Sequence, residues 1–115
     1  MKKVYHLTSC NTCQRILKEV NDTDFVQQCI KATPMTAEQV DEMAKLSGSY
    51  ESLFSRRAMK YKELGLKEKT LSEEDYRAYI LEHYTFLKRP VFVVNDQIYV
   101  GNSKKNITKL ISDLG

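Results

Sequence analysis

Cys10 and Cys13, three positions apart, are the residues of this chain best suited to covalent chemistry. The thiolate is the reactive form of cysteine, and a free thiol with a pKa of about 8.5 is mostly protonated at neutral pH. The run Cys10-Asn11-Thr12-Cys13 follows a short apolar stretch, Val4-Tyr5-His6-Leu7, and leads into the helical pattern Ile16, Leu17, Val20. A strand-to-helix junction puts Cys10 near the helix N-cap. Unpaired N–H groups and the positive end of the helix dipole there favour the thiolate. Cys13 lies on the first turn, further in, where it can attack a mixed disulfide formed on Cys10. This arrangement suits thiol–disulfide chemistry. The competing readings are two buried cysteines or half of a zinc site. Zinc takes about four ligands, and the chain offers only Cys29, His6 and His83 besides the pair. A redox or nucleophilic role is therefore preferred, with no metal.

Other residues are candidates to support the thiols. His6 stands four residues before Cys10. It serves either to hold the thiolate or as an ordinary core or surface histidine, and the residues alone leave both open. Cys29 is expected to be a small buried hydrophobe in a second strand, and His83 a packing or capping residue. Arg56, Arg57 and Arg89 carry planar, multi-donor guanidinium groups suited to a tetrahedral oxyanion or a carboxylate. A single arginine is commonly just a solvated side chain. Arg89-Pro90 is more suggestive, since it opens a predicted strand, where proline is tolerated and a cis bond would make a tight turn.

The elements that must position these residues can be read along the chain. The first strand, turn and helix are followed by a second strand over Asp24 to Lys31, with Phe25, Val26 and Ile30 apolar. Such a βαβ unit favours a parallel pair. Thr33-Pro34 breaks the chain. Thr36-Ala37-Glu38-Gln39 is a capping box that opens a helix with Val40, Met43 and Ala44 on its buried face, and Ser47-Gly48-Ser49 ends it. A short apolar stretch, Tyr50 to Phe54, and a break at Gly65 follow. Ser72-Glu73-Glu74-Asp75 caps another helix, with Tyr76, Tyr79, Ile80 and His83 on one face. Val91–Val94 and Gln97–Val100 flank Asn95-Asp96 as a hairpin. The last helix places Ile107, Leu110, Ile111 and Leu114 at i, i+3, i+4 and i+7. The order βαβ, helices, ββα describes one α/β domain, 1–115, with a helical insertion over about 35–85 after the second strand.

With 115 residues the chain has room for one modest core. Its net charge of +3 does not by itself imply nucleic acid, and suits an anionic small molecule as well. No apolar run approaches the roughly 20 residues of a membrane span. The apolar stretch after Lys2-Lys3 is too short for a signal-peptide core. The expected location is the cytoplasm, where thiols are kept reduced and cysteines are more often catalytic, sensing or buried than bridged.

Together these features resemble the ArsC/Spx family. Tyr5-His6-…-Cys10 looks like its nucleophile loop. Arg57-…-Tyr61-Lys62-Glu63-Leu64-Gly65-Leu66 is similar to its central arginine and Tyr-x-x-Leu-Gly-Leu-type segment. His83-…-Leu87-Lys88-Arg89-Pro90-Val91 resembles the segment before its third strand, and Val100-Gly101 the ending of the Spx-like branch. The resemblance implies a thioredoxin-like fold with a mixed four-stranded sheet. It implies that Cys10 is the nucleophile, Arg89 an oxyanion ligand, and Pro90 the cis-proline facing the active cysteine. One of Arg56 and Arg57 would be a second ligand. Spacing to Tyr61 favours Arg57, and counting back to Gly48 favours Arg56.

Two functions follow from the resemblance. The first is a thiol-dependent reductase of the arsenate reductase type, expected to be a monomer because nothing in the sequence calls for an assembly. Cys10 would attack an oxyanion or a thiol-linked substrate, with resolution by glutathione and glutaredoxin, by thioredoxin, or by Cys13. No bound cofactor is implied, and glutathione would be a co-substrate. The second is an Spx-like transcription regulator that contacts the RNA polymerase α subunit, with Cys10–Cys13 as a redox-active disulfide switch and no direct nucleic-acid contact. The chain departs from the reductase pattern in several places: Thr8-Ser9 stand where the family has Asn-Pro before the cysteine, and Arg15 is one place later than the usual arginine. Cys13 stands where arsenate reductases have serine, and Gly101-Asn102 stand where they have a third arginine. The added Cys13 favours an intramolecular disulfide, and the missing third arginine weakens oxyanion binding.

Overall fold

The computed structural model describes residues 2–21 and 23–115. Four strands form one mixed sheet in the order β2-β1-β3-β4, with β1 at Lys2–His6, β2 at Val26–Cys29, β3 at Val91–Val94 and β4 at Gln97–Val100. β1 and β2 are parallel, with His6 opposite Cys29; β1–β3 and β3–β4 are antiparallel. The helices are α1 (Asn11–Val20), α2 (Ala37–Ser47), α3 (Met59–Glu63), α4 (Glu73–Glu82) and α5 (Lys104–Leu114), with short 3-10 turns at Glu51–Leu53, Leu66–Glu68 and Tyr84–Phe86. This is the mixed four-stranded α/β sheet expected from the sequence. No helix among the described residues is long and apolar enough to cross a membrane.

The chain divides into two compact units. The first comprises the described residues up to Thr33 together with Arg89–Gly115, and so holds the whole sheet, α1 and α5. Its core is Val4, Ile16, Phe25, Phe92, Tyr99, Ile107 and Leu110, with Phe25 and Phe92 edge to face at 5.2 Å. Alternation along β1 turns Val4 toward this cluster. α1 supplies Ile16, Leu17 and Val20, and α5 supplies Ile107, Leu110 and Leu114. Ile111 departs from the expected pattern, being 39 % exposed at the margin of the apolar stripe. α1 ends at Asn21, whose left-handed φ of 49° lets its N–H reach the Leu17 carbonyl. Asn95 takes a φ of 56° in the β3–β4 hairpin, a left-handed conformation that asparagine tolerates without glycine.

The second unit, Pro34–Lys88, holds α2, α3 and α4. The capping boxes expected at Thr36/Gln39 and Ser72/Asp75 are both formed, and Gly48 closes α2 at φ 105°. An aromatic cluster forms its centre: Phe54 stacks on Phe86 at 5.1 Å and meets Tyr76 edge-on at 4.9 Å. Ser55 N–H donates to the Phe86 carbonyl and Lys88 N–H to that of Leu53, joining the two segments that carry this cluster. The apolar stretch Tyr50–Phe54 is a 3-10 turn leading into an isolated bridge with Leu87. The Glu73 carboxylate accepts from the N–H groups of Tyr50 and Glu51 at 2.7 and 3.1 Å. His83 serves as the expected capping residue, its Nδ1 accepting from Thr85 N–H at 3.3 Å.

Two expectations need correction. β2 is four residues rather than eight, and Val26 is 59 % exposed, because β2 is the sheet edge and its outer side has no neighbouring strand. Cys29 is not a buried hydrophobe. It ends β2 at the sheet edge, part exposed, with hydrogen-bond donors around its sulfur.

Candidate active site

Cys10 is the N-cap of α1, with extended backbone (φ −92°, ψ 110°), and its Sγ accepts from the N–H of Cys13 at 3.5 Å. Two contacts to one carbonyl hold the loop after β1: Cys10 N–H donates to Leu7 O at 3.0 Å, and Gln14 Nε2 donates to it at 3.3 Å. The sulfur thus sits where the first turn of α1 has N–H groups to spare. Partial burial alone would raise the Cys10 pKa. The N–H and thiol of Cys13, the positive charge of Arg89 and the N–H of Thr12 outweigh it, so the thiol is held below its ordinary value.

Cys13 moves the other way. It is fully buried. Desolvation, together with its hydrogen bond to Cys10 and the Cys10 charge, pushes its thiol up to about 11 despite a Leu7 N–H and Arg89 acting in the opposite direction. The acidities of two sulfurs one turn apart are therefore moved in opposite directions, that of the part-exposed Cys10 down and that of the buried Cys13 up. Both are reduced in this structure.

The remaining candidates divide between the units. Arg89 acts on both sulfurs and precedes the cis peptide bond to buried Pro90, whose carbonyl accepts from Gly101 N–H at 2.9 Å. Gly101, at φ 93°, thereby ties the end of β4 to the start of β3. His6 is 6 % exposed, and burial lowers its pKa. The neutral imidazole brings no positive charge to Cys10, and its Nδ1 has no hydrogen-bond partner. Arg56 and Arg57 belong to the second unit. Arg56 pairs with Glu51 at 2.7 Å and donates to the Tyr76 hydroxyl at 3.1 Å, while Arg57 is exposed. Among the described residues no three His, Cys, Asp or Glu side chains assemble as metal ligands.

Sequence reasoning missed Thr8, whose hydroxyl and N–H both reach the Cys29 sulfur. No local pattern marks it, because its partner lies on the neighbouring strand.

A profile of the ArsC family matches residues 5–110. The chain belongs to the ArsC family. Within it the chain is 24 % identical over 115 residues to the global transcriptional regulator Spx 2 of Bacillus anthracis, covering 96 % of this chain and 87 % of that protein. It is 28 % identical over 93 residues to an arsenate reductase of Yersinia enterocolitica, covering 78 % and 66 %. The crystal structure of an ArsC-family-related protein of Bacteroides fragilis superposes with a TM-score of 0.80 at 27 % identity, over 95 % of this chain and 96 % of that one. The fold is thus the thioredoxin-like α/β fold of the ArsC family, and the Cys-x-x-Cys sits at the junction of β1 and α1.

Proposed function

We propose that this ArsC-family protein is a thiol-dependent oxidoreductase of the arsenate reductase type, with Cys10 as nucleophile and Cys13 as resolving thiol. The opposite displacement of the two thiol pKa values carries this reading. A nucleophile must be ionised before it attacks, whereas a resolving thiol is best kept protonated until the first step is complete. On a mixed-disulfide substrate, the Cys10 thiolate bonds to one sulfur and expels the other as thiolate. That removes the Cys10 charge, one of the influences holding the Cys13 thiol up. Cys13 then loses its proton, bonds to the Cys10 sulfur and expels the second thiolate, leaving a Cys10–Cys13 disulfide for thioredoxin or glutaredoxin to reduce. On an oxyanion, Cys10 displaces an oxygen, lost as water. Glutathione or Cys13 then attacks the sulfur of the adduct, taking it into a disulfide and releasing the oxyanion reduced by two electrons. Arg89 supplies positive charge for an anionic substrate. Pro90 lines the approach and His6 supports the loop.

The test is turnover of arsenate and of a glutathione mixed disulfide by purified protein with glutathione and glutaredoxin. Cys10→Ser is expected to abolish it. No reduction of either substrate by the wild-type protein would sink the reading.

A second reading is favoured by the similarity to Spx regulators over 96 % of this chain and 87 % of Spx 2 and by the added Cys13. There the same pair is a switch, and the partner is the RNA polymerase α subunit. A pull-down with that subunit, oxidised against reduced, separates the two. No binding in either state removes the regulator.

A further inference from the structure

We propose that Gln14 is a positioning residue for the thiol pair: it fixes the turn that presents Cys10 and so sets how fast Cys13 closes onto it. The role rests on Cys10 being the nucleophile and Cys13 the resolving thiol. Leu7, Thr8, Ser9 and Cys10 form a tight turn, closed by Cys10 N–H donating to Leu7 O at 3.0 Å. Its corner residues, Thr8 and Ser9, are exposed. Neither presets a turn as proline or glycine would, so the shape of this turn depends on what holds its ends. A single residue holds both. The Gln14 N–H donates to the Cys10 carbonyl at 3.1 Å, and its side-chain Nε2 donates to the Leu7 carbonyl at 3.3 Å. The first of these is the opening backbone bond of α1. The second is no helix bond. It spans seven positions and ties the start of the turn to the helix that carries Cys13.

Leu7 is the point at which this tie reaches both thiols. It is buried, its carbonyl takes the Cys10 N–H, and its own N–H lies against the Cys13 sulfur. A carbonyl oxygen accepts through two lone pairs, and Cys10 and Gln14 between them occupy those of Leu7. Gln14 is half-buried beside the core stripe of Ile16, Leu17 and Val20, so its amide is anchored by a packed helix. With glutathione disulfide as oxidant, the Cys10 thiolate bonds to one of its sulfurs and one glutathione leaves as thiolate. Cys13 then gives its proton to solvent and bonds to the Cys10 sulfur, and the second glutathione leaves as thiolate. The pair is oxidised by two electrons and one glutathione disulfide becomes two thiols. The second attack is intramolecular, so its rate follows the alignment of the two sulfurs. Without the Gln14 donor the Leu7 carbonyl keeps only the Cys10 N–H. The expected slowing of closure is about fivefold, the weight of one neutral hydrogen bond.

The experiment compares the wild-type chain with Gln14→Met, which keeps the length of the side chain and removes its donor. Reduced protein is mixed with glutathione disulfide, quenched in acid at intervals, and the Cys10 and Cys13 peptides are followed by mass spectrometry. The glutathione adduct on Cys10 is expected to convert to the Cys10–Cys13 disulfide about fivefold more slowly in the variant, and so to accumulate. Closure at the wild-type rate overturns the proposal. A lowered urea midpoint with wild-type closure overturns it too, since that is the mark of a contact that only stabilises the fold. If Gln14→Met does not fold, Gln14→Ala takes its place with the same outcomes, alanine being the best helix former. A wild-type protein that forms neither the Cys10 adduct nor the Cys10–Cys13 disulfide overturns the assignment of the pair itself, which keeps the two failures apart.

Discussion

Cys10 draws its acidity from three groups on two neighbours, the N–H and thiol of Cys13 and the N–H of Thr12, and from one guanidinium far along the chain. Arg89→Met removes that guanidinium and leaves the N–H groups of α1 in place. The Cys10 pKa is expected to rise, so less thiolate is present at pH 7 and alkylation slows. An unchanged pH profile of Cys10 labelling would show that the helix terminus alone holds the thiolate. Cys13→Ala keeps the N–H that caps to Cys10 but removes the resolving sulfur. A mixed disulfide on Cys10 should then persist and be found by mass spectrometry, whereas the wild-type protein clears it. The positions of the two sulfurs were legible in the sequence, because the spacing alone puts one at the helix end and the other inside. Cys29 was not legible. Its donors come from Thr8, 21 positions earlier, and from a turn whose geometry depends on the β1–β2 register.

At the level of elements, the helix starts were the clearest features of the sequence. A hydroxyl followed three residues later by a side chain that can reach back is a local device, and both capping boxes formed. Thr36→Ala should cost about 1 kcal/mol in denaturant unfolding. Irregular segments were harder to read. The three 3-10 turns and α3 are held by contacts such as the Phe54–Phe86 stack and the Glu73 carboxylate on the Tyr50 and Glu51 N–H groups. No short-range period encodes those contacts. Phe54 has no exposed surface, so Phe54→Ala should destabilise the second unit by about 3–5 kcal/mol. A loss below 1 kcal/mol would mean that the aromatic cluster is not the centre of that unit.

For the whole molecule, the displaced groups of the first unit set how stability depends on pH. Cys13 and Tyr99 are raised to about 11 and about 12, Tyr99 by burial and then by its hydrogen bond to Asp113. Between pH 9 and 12 the unfolded chain loses these protons first, so the native state holds more of them and stability falls as pH rises. Cys29 acts with the opposite sign. Its stabilisation is complete above the ordinary thiol pKa of about 9 and is lost as pH falls through about 6. Urea midpoints followed by circular dichroism should climb from pH 6 to 9 and drop beyond it. Tyr99→Phe should flatten the drop above pH 10, and Cys29→Ser the climb. The sulfur that caps α1 is also the proposed nucleophile, and this couples chemistry to helix order. Once Cys10 carries a covalent partner it has no charge to offer the Cys13 N–H, and the first turn of α1 loses its anchor. That turn leads directly to Ile16, Leu17 and Val20 in the core. Amide exchange at Cys13 would then read out the oxidation state of the protein, slow when Cys10 is free and fast when it is occupied.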